Sequence, residues 1–124
     1  MPPVPRPDHP THETPAASFT SLATPSRGGS EVAVWEVHLH PGHPAAVHQV
    51  TRTEVFVALE GRAVAALDGH RVPLGPTDVL VVPPHTPFAL EADATEGFRA
   101  VCALPSEGQA VIPGGQPFTP PWAR

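Results

Sequence analysis

Apolar and polar residues alternate along the middle of the chain. In the segment EVAVWEVHLH, residues 31–40, one face carries Ala33, Trp35, Val37 and Leu39. The opposite face carries Val34, Glu36, His38 and His40. Successive side chains of a β-strand point to opposite faces, so a period of two residues predicts a half-buried strand.

Four further segments are also short and apolar: TEVFVALEG, RAVAALDGHRV, DVLVVPP and FRAVCALP. Asp68-Gly69 predicts a hairpin turn within the second of them, and Pro83 and Pro84 end the third. Many short strands separated by Gly and Pro turns, with no segment of helical period, predict an all-β sandwich or barrel.

Proline divides the chain into a middle and two ends. Seven of its 19 prolines lie in the first 25 residues, and four more lie between Pro113 and Pro121. Because proline disfavours both helix and central strand, we predict an extended or disordered arm over 1–15, a barrel over 16–112 and an extended tail over 113–124. Phe118 and Trp122 are expected to anchor this tail to the barrel or to a neighbouring subunit, the alternative being a wholly solvated tail.

The composition of the chain indicates which binding partners and which cellular compartment to expect. The formal net charge is -5, and the seven cationic residues are dispersed arginines, so nucleic acid is not expected as a partner. No apolar run reaches the roughly 18 residues of a membrane span, and the N-terminus lacks the apolar core of a secretory signal. The single cysteine, Cys102, is expected to be a buried core thiol, and its lack of a disulfide partner in the chain favours a cytoplasmic location.

Fixed spacings connect four residues in the middle of the chain. Five residues separate Gly42 from His48, Glu54 follows His48 by six positions, and Gly61 follows Glu54 by seven. This resembles the first conserved motif of the cupin superfamily, G-x5-H-x-H-x3-E-x6-G. The segment GPTDVLVVPPHTPF resembles the second motif, a Gly-Asp, a short apolar strand and P-x-G-x-x-H, and the tail PFTPPWA is similar to that of short actinobacterial cupin-domain proteins.

The resemblance implies a fold and a metal site. The fold is a single double-stranded β-helix, a small jelly-roll barrel of two antiparallel sheets with a pocket. Metal-binding cupins use two His and the Glu of the first motif and the His of the second. His48 and Glu54 match two of these ligands, but Val50 and Phe88 stand at the other two positions, and His85 replaces the glycine of the second motif.

This departure predicts a degenerate metal site. Catalytic zinc generally keeps three protein ligands, and the non-haem iron triad needs two His and one carboxylate. We therefore expect no cofactor. The alternative is a divalent Fe, Mn, Ni or Zn ion held by His48 and Glu54 together with further histidines, for which the candidates are His38, His40, His43 and His85.

Three functions follow as hypotheses. The first is an enzyme in which His48 and Glu54 are the catalytic acid–base pair for isomerisation, dehydration or cyclisation of a small organic substrate. The second is a metal-dependent dioxygenase or isomerase, and the third is a binding module without chemistry. The residues expected to contact the small molecule are Trp35, Val50, Phe56, His85 and Phe88.

A homodimer is also expected. Cupins of this size commonly pair, which is part of the resemblance. In the segment EVFVAL, Val55 and Val57 face away from Glu54 and Phe56, and both faces are apolar. A strand that is apolar on both faces needs a covering layer on each side.

Overall fold

A computed structural model describes residues 2–29 and 31–124. Eleven strands and one short 3₁₀ turn are present in these residues. The strands are β1 His12–Glu13, β2 Ala17–Ala23, β3 Val32–Leu39, β4 Gln49–Val50, β5 Glu54–Gly61, β6 Ala63–Leu67, β7 His70–Leu74, β8 Val79–Val82, β9 Phe88–Ala92, β10 Phe98–Pro105 and β11 Ala110–Val111; the 3₁₀ turn is Pro121–Ala123.

The strands form two antiparallel layers that enclose the core. One layer is a six-stranded sheet in the order β1-β2-β3-β10-β5-β8. The other combines the three-stranded sheet β7-β6-β9 with the pair β11-β4, and a bridge between His48 and Phe88 joins the two. The predicted all-β barrel of two antiparallel sheets is thereby confirmed.

Alternation along the central strands decides which side chains enter the core. On β10, Phe98, Ala100, Cys102 and Leu104 are all buried, as the sequence pattern predicts. On β5 the inward residues are Glu54, Phe56 and Ala58, while Val57 and Leu59 on the opposite face are partly exposed. The inward phase of β5 places a carboxylic acid among apolar core residues.

Two turns have backbone conformations that explain their residues. Asp68 and Gly69 join β6 to β7 with φ values of 48° and 80°, a pair of positive angles that matches a hairpin turn. Gly61 ends β5 at φ 74°, and an added Cβ there would overlap the carbonyl oxygen of Gly97. The last glycine of the first motif is therefore needed for close backbone approach at the end of β5.

The proline-rich ends lie against the barrel. In the N-terminal segment, β1 pairs with β2, and the Nη1 atom of Arg6 lies 2.7 Å from Oε2 of Glu36. Arg99 contacts the other carboxylate oxygen, with its Nε atom 2.9 Å from Oε1. These two arginines explain how Glu36, on the outer face of β3, is buried without an unpaired charge.

The C-terminal segment also packs on its own barrel. Phe118 forms a backbone bridge with Ala110, and the Trp122 ring stacks on Phe19 with their centroids 3.6 Å apart. The Ser21 hydroxyl donates a hydrogen bond of 2.7 Å to the carbonyl oxygen of Trp122. The 3₁₀ turn is the only helical segment in residues 2–29 and 31–124, and it is far too short to cross a membrane.

Candidate active site

A cavity of about 320 Å³ lies between the two layers. Its inner wall comes from β3, β5 and β10 and includes Trp35, Phe56 and Leu104. The exposed residues His43, Ile112 and Phe118 also line it, so the cavity opens to solvent beside them. The wall is predominantly aliphatic and aromatic, and this makes the few polar side chains within it conspicuous.

Glu54 is the most deeply placed of these polar groups. Its position at the start of β5 points the side chain inward, and the residue is 5% exposed. In residues 2–29 and 31–124, no hydrogen bond or ion pair connects its carboxyl to another group. Burial raises the pKa of Glu54 from the ordinary 4.5 to about 8, because a low-dielectric environment disfavours the charged form. The side chain is therefore a neutral carboxylic acid at pH 7.

His48 lines the same cavity in a defined orientation. Its Nδ1 atom lies 3.1 Å from the carbonyl oxygen of Ala46, and since a carbonyl only accepts, Nδ1 carries the hydrogen. Burial lowers the pKa of His48, partly opposed by this hydrogen bond. In the neutral ring Nε2 is then left with a lone pair and is the basic atom.

The other predicted ligand-binding residues divide into two groups. Trp35, Val50 and Phe56 line the cavity. Phe88 does not: it is 1% exposed and packs behind the wall, with its ring centroid 4.3 Å from that of His48 and 5.9 Å from that of Phe56. The Phe88 side chain points into the barrel, as the motif alignment predicts, but the rings of His48 and Phe56 lie between it and the cavity.

His85, which was predicted to contact a ligand, is exposed and is not among the residues that line the cavity. Pro83 and Pro84 end β8, and His85 adopts a turn with φ 60° that leaves its side chain exposed. Its backbone N–H donates a hydrogen bond of 2.8 Å to the carbonyl oxygen of Val50. The residue thus connects two loops through its main chain.

The histidines near the end of β3 do not share one environment. His38 stays on the outer face, and its pKa is lowered mainly by burial and then by His40, whose ring centroid is 4.8 Å away. His40 follows the last residue of β3 and lines the cavity, as does His43 in the next loop. Alternation predicts one face for His38 and His40, but this rule fails for His40, which lies beyond the strand.

These positions can be compared with the ligand set that a transition metal needs. In the described part of the chain, no group of three or more His, Cys, Asp or Glu side chains is arranged to hold an ion. His48 and Glu54 line the cavity, and the apolar Val50 and Phe88 occupy the two remaining motif positions. The two matched motif residues, His48 and Glu54, fall short by themselves of the three-ligand requirement of catalytic zinc or non-haem iron.

Cys102 is a buried thiol beside the cavity. Burial raises its pKa well above the ordinary value, and the nearby carboxyls of Glu54 and Glu36 act in the same direction. A fully buried thiol with a raised pKa stays protonated and is a poor nucleophile. The predicted core role of Cys102 agrees with this environment.

Sequence reasoning missed the walls supplied by the chain ends. Phe19, Phe118 and Trp122 all contribute to the cavity, together with Leu90 on β9. The sequence feature that pointed to them was the pair of aromatic residues in the proline-rich tail. That pair indicated that the tail is anchored to a surface, and it did not indicate that the tail lines the cavity. Their contribution depends on the tail folding back across the opening between the layers.

Comparison with known proteins gives the family. Residues 35–104 match the family model of the cupin domain, a span that contains β3 to β10 except for the first three residues of β3 and the last residue of β10. This chain belongs to the cupin family. No curated protein matches it.

Several solved cupin-fold structures are similar at low identity. The polyketide cyclase RemF from Streptomyces resistomycificus has a TM-score of 0.70 and 17% identity, over 79% of this chain and 71% of that one. KdgF from Halomonas sp. has a TM-score of 0.69 and 18% identity, over 80% and 88% of the two chains.

A third similar structure is a much longer protein. Salicylate 1,2-dioxygenase from Pseudoaminobacter salicylatoxidans, in complex with gentisate, has a TM-score of 0.68 and 21% identity. The match covers 82% of this chain but 30% of the dioxygenase. At these identities the comparisons establish the cupin fold and leave the chemistry to the residues of the site.

Proposed function

We propose that this cupin is an enzyme that performs acid–base chemistry on a small organic carbonyl compound, without a tightly bound metal. One observation carries the proposal: a single apolar cavity presents both Glu54, which has its pKa raised to about 8 by burial, and the neutral ring of His48. At pH 7 the acid therefore holds a proton and the base is free to accept one.

The two groups have complementary roles in enolisation. Glu54 donates its proton to the carbonyl oxygen, and Nε2 of His48 removes a proton from the adjacent carbon. The C–H electron pair becomes a carbon–carbon double bond while the carbonyl π pair moves to oxygen, so that an enol forms beside a Glu54 carboxylate and a His48 cation. The low dielectric of the cavity strengthens the attraction between these opposite charges.

The enol can continue to any of three products. Return of a proton to a different carbon completes an isomerisation, loss of a β-hydroxyl as water completes a dehydration, and attack on a second carbonyl completes a cyclisation. All three reactions share the first proton transfer. A test of this transfer therefore tests the proposal without knowledge of the natural substrate.

Proton exchange of α-tetralone provides that test. In heavy water the enzyme should accelerate deuterium incorporation next to the ketone carbonyl, measured by proton NMR. Because general acid–base groups contribute about 10²–10⁴-fold, His48→Gln and Glu54→Gln should each lower the catalysed rate at least about a hundredfold. The rate should be greatest between the lowered pKa of His48 and the pKa of Glu54 near 8.

Matched control variants separate this proton transfer from metal-dependent exchange and from binding alone. His70→Gln and Glu91→Gln make the same substitutions at positions outside the cavity and should exchange like the unaltered protein. An exchange rate that EDTA abolishes and added Fe or Zn restores would favour the metal-dependent alternative. Tight binding of α-tetralone without any accelerated exchange would favour a binding module without chemistry.

A homodimer is proposed as the working assembly. Val55 pairs with Val81 and Val57 with Val79 across β5 and β8. Val57, Val79 and Val81 are 37%, 56% and 53% exposed on the outer face, and β8 is the edge of the six-stranded sheet. Contiguous exposed apolar side chains are typical of interfaces.

Sedimentation of charge variants tests this assembly. At tens of micromolar the unaltered protein should sediment as a dimer, and Val79→Glu with Val81→Glu should sediment as a monomer because two carboxylates would lie in the interface. Val72→Glu introduces the same charge on the other sheet, at a residue that is 37% exposed, and should leave the dimer intact. An unaltered protein that sediments as a monomer would contradict the proposal.

A further inference from the structure

We infer that the cavity selects an uncharged, ring-bearing ligand, such as a cyclic or aryl ketone, and rejects carboxylates and amines of the same skeleton. This inference rests on the proposed function, since it assigns the substrate class of the same site. It concerns which molecules enter and bind, whereas the proposed function concerns the proton transfer that follows.

No arginine or lysine side chain among the described residues is available to an anion bound in the cavity. In residues 2–29 and 31–124, no arginine lines the cavity, and the chain contains no lysine. Arg6 and Arg99 are bound to Glu36 on the outer face of the sheet, and Arg52 is bound to Glu107 at the surface. A carboxylate in the cavity would lose its hydration, and its only possible cationic partners among the lining residues are His40, His43 and His48. Burial lowers the pKa of His48 and so disfavours its cationic form.

The deep polar group also favours a neutral acceptor. Glu54 is buried and has no hydrogen-bond partner among the described residues. The ionisable side chains near it are Cys102 on β10 and the cavity-lining His40, His43 and His48, while neighbouring β8 buries Leu80 and Val82 and exposes Val79 and Val81. A protonated carboxyl in this position donates to a ketone oxygen, while a second carboxylate would be repelled once Glu54 ionised.

An amine is excluded for a related reason. A neutral amine beside Glu54 would accept the carboxyl proton, and an ammonium ion would lower the pKa of the carboxyl so that its proton leaves to water. Both routes produce a buried ion pair. Taking both ions out of water costs several kcal/mol each, and their attraction offsets this cost only when additional hydrogen bonds satisfy both groups. The wall of the cavity is predominantly aliphatic and aromatic, so it offers few groups that could supply those hydrogen bonds.

Aromatic side chains indicate the shape of the ligand. Five of them line the cavity: Phe19, Trp35, Phe56, Phe118 and Trp122. Flat rings pack against such walls in offset or edge-to-face arrangements. The volume of about 320 Å³ lies at the lower end of the roughly 300–1,000 Å³ found for ligand sites, which suits a ligand of two fused rings better than a larger one.

Three probes with one skeleton test the selection. α-Tetralone, tetralin carboxylate and aminotetralin share a bicyclic frame and differ in the charge at the polar end. Isothermal titration at pH 7 should show α-tetralone binding at least tenfold more tightly than either charged probe. A carboxylate or amine that binds as tightly as the ketone would overturn the inference, as would failure of α-tetralone to bind at millimolar concentration.

The pH dependence of ketone binding identifies the responsible group. With a pKa of about 8, the protonated fraction of Glu54 falls about tenfold from pH 7 to pH 9, so the Kd for α-tetralone should rise about tenfold. Glu54→Gln keeps a neutral donor and should bind α-tetralone with a Kd that does not change over this range. Glu91→Gln should retain the pH dependence of the unaltered protein. A flat profile in the unaltered protein would contradict the role of Glu54 in selection.

The binding experiment and the exchange experiment can give opposite outcomes, so they test the ligand class and the proposed catalysis separately. Selective binding of α-tetralone without deuterium exchange would support the ligand class and overturn the proposed catalysis. Deuterium exchange that depends on His48 and Glu54, together with equally tight binding of tetralin carboxylate, would support the catalysis and overturn the ligand class.

Discussion

Replacing Glu54 with glutamine is expected to make the protein more stable than the unaltered chain in alkaline solution and to remove part of its pH dependence. In the folded protein the pKa of Glu54 is about 8, whereas its ordinary value is 4.5. Between these values the folded state holds a proton that the unfolded state has released. Stability therefore falls as the pH rises through this window, because the folded state binds more protons.

The size of the effect follows from the same two pKa values. From pH 5 to pH 8 the unaltered protein should lose about 3 kcal/mol of unfolding free energy relative to Glu54→Gln. The neutral amide does not titrate, so its own cost of burial is the same at both pH values. His48, whose lowered pKa reduces stability as the pH falls, is present in both proteins and cancels in the difference.

Chemical denaturation at several pH values measures this difference. The stability curves of the unaltered protein and Glu54→Gln should diverge steadily above pH 5. Glu91→Gln, an exposed carboxylate-to-amide substitution on β9, should track the unaltered protein. Parallel curves for the unaltered protein and Glu54→Gln would mean that the Glu54 carboxyl is ionised in the fold, and the proposed acid would lose its basis.

Removal of the chain from Pro117 onward is expected to destabilise the barrel and open its cavity. This deletion removes the Phe118 bridge and the stack of Trp122 on Phe19. It also removes the hydrogen bonds from Ser21 to the Trp122 carbonyl and from Ser26 to the Arg124 carbonyl, each 2.7 Å long. Loss of a fully buried large aromatic side chain typically costs about 3–5 kcal/mol. Trp122 is partly buried and Phe118 is exposed, so we expect a measurable destabilisation below that range for each.

Ligand binding should weaken together with stability. Phe118, Pro120 and Trp122 form part of the cavity wall, so the shortened chain should bind α-tetralone at least about tenfold less tightly, a loss of about 1.4 kcal/mol. Thermal unfolding and isothermal titration measure the two effects separately. A melting temperature and a Kd that both remain unchanged after truncation would contradict the role assigned to the tail.

Single substitutions keep the test useful if the shortened chain fails to fold. Trp122→Ala removes the stack on Phe19, while Trp122→Phe retains an aromatic ring in the same place. We expect the alanine variant to lose both stability and affinity and the phenylalanine variant to keep most of each. Since the tail packs on its own barrel, neither variant should change the sedimentation of the dimer proposed at β5 and β8.

Local pattern was sufficient to predict six of the eleven strands in the described residues, β3, β5 to β8 and β10, while β1, β2, β4, β9 and β11 were not predicted. A period of two residues is a property of the extended backbone itself, so it places Glu54 with Phe56 and Cys102 with Leu104 without knowledge of the tertiary fold. The positive φ angles at Asp68-Gly69 are likewise a local preference of those residues. The shared pocket of His48 and Glu54 was instead implied by the resemblance of their spacing to the first cupin motif.

Contacts between segments distant in sequence decided the features of the site that local pattern did not predict. The walls formed by Phe19 and Trp122 depend on two chain ends that meet across the barrel, and Glu36 acquires partners 30 and 63 positions away. A turn with φ 60° at His85 leads that side chain out of the cavity, and the His48 and Phe56 rings cover Phe88. The sequence by itself determined that a carboxyl and an imidazole face the interior; only the tertiary structure decided that the carboxyl has no partner there among the described residues. Its retained proton is a consequence of that isolation, because desolvation acts on the whole surroundings of a group and not on its neighbours in sequence.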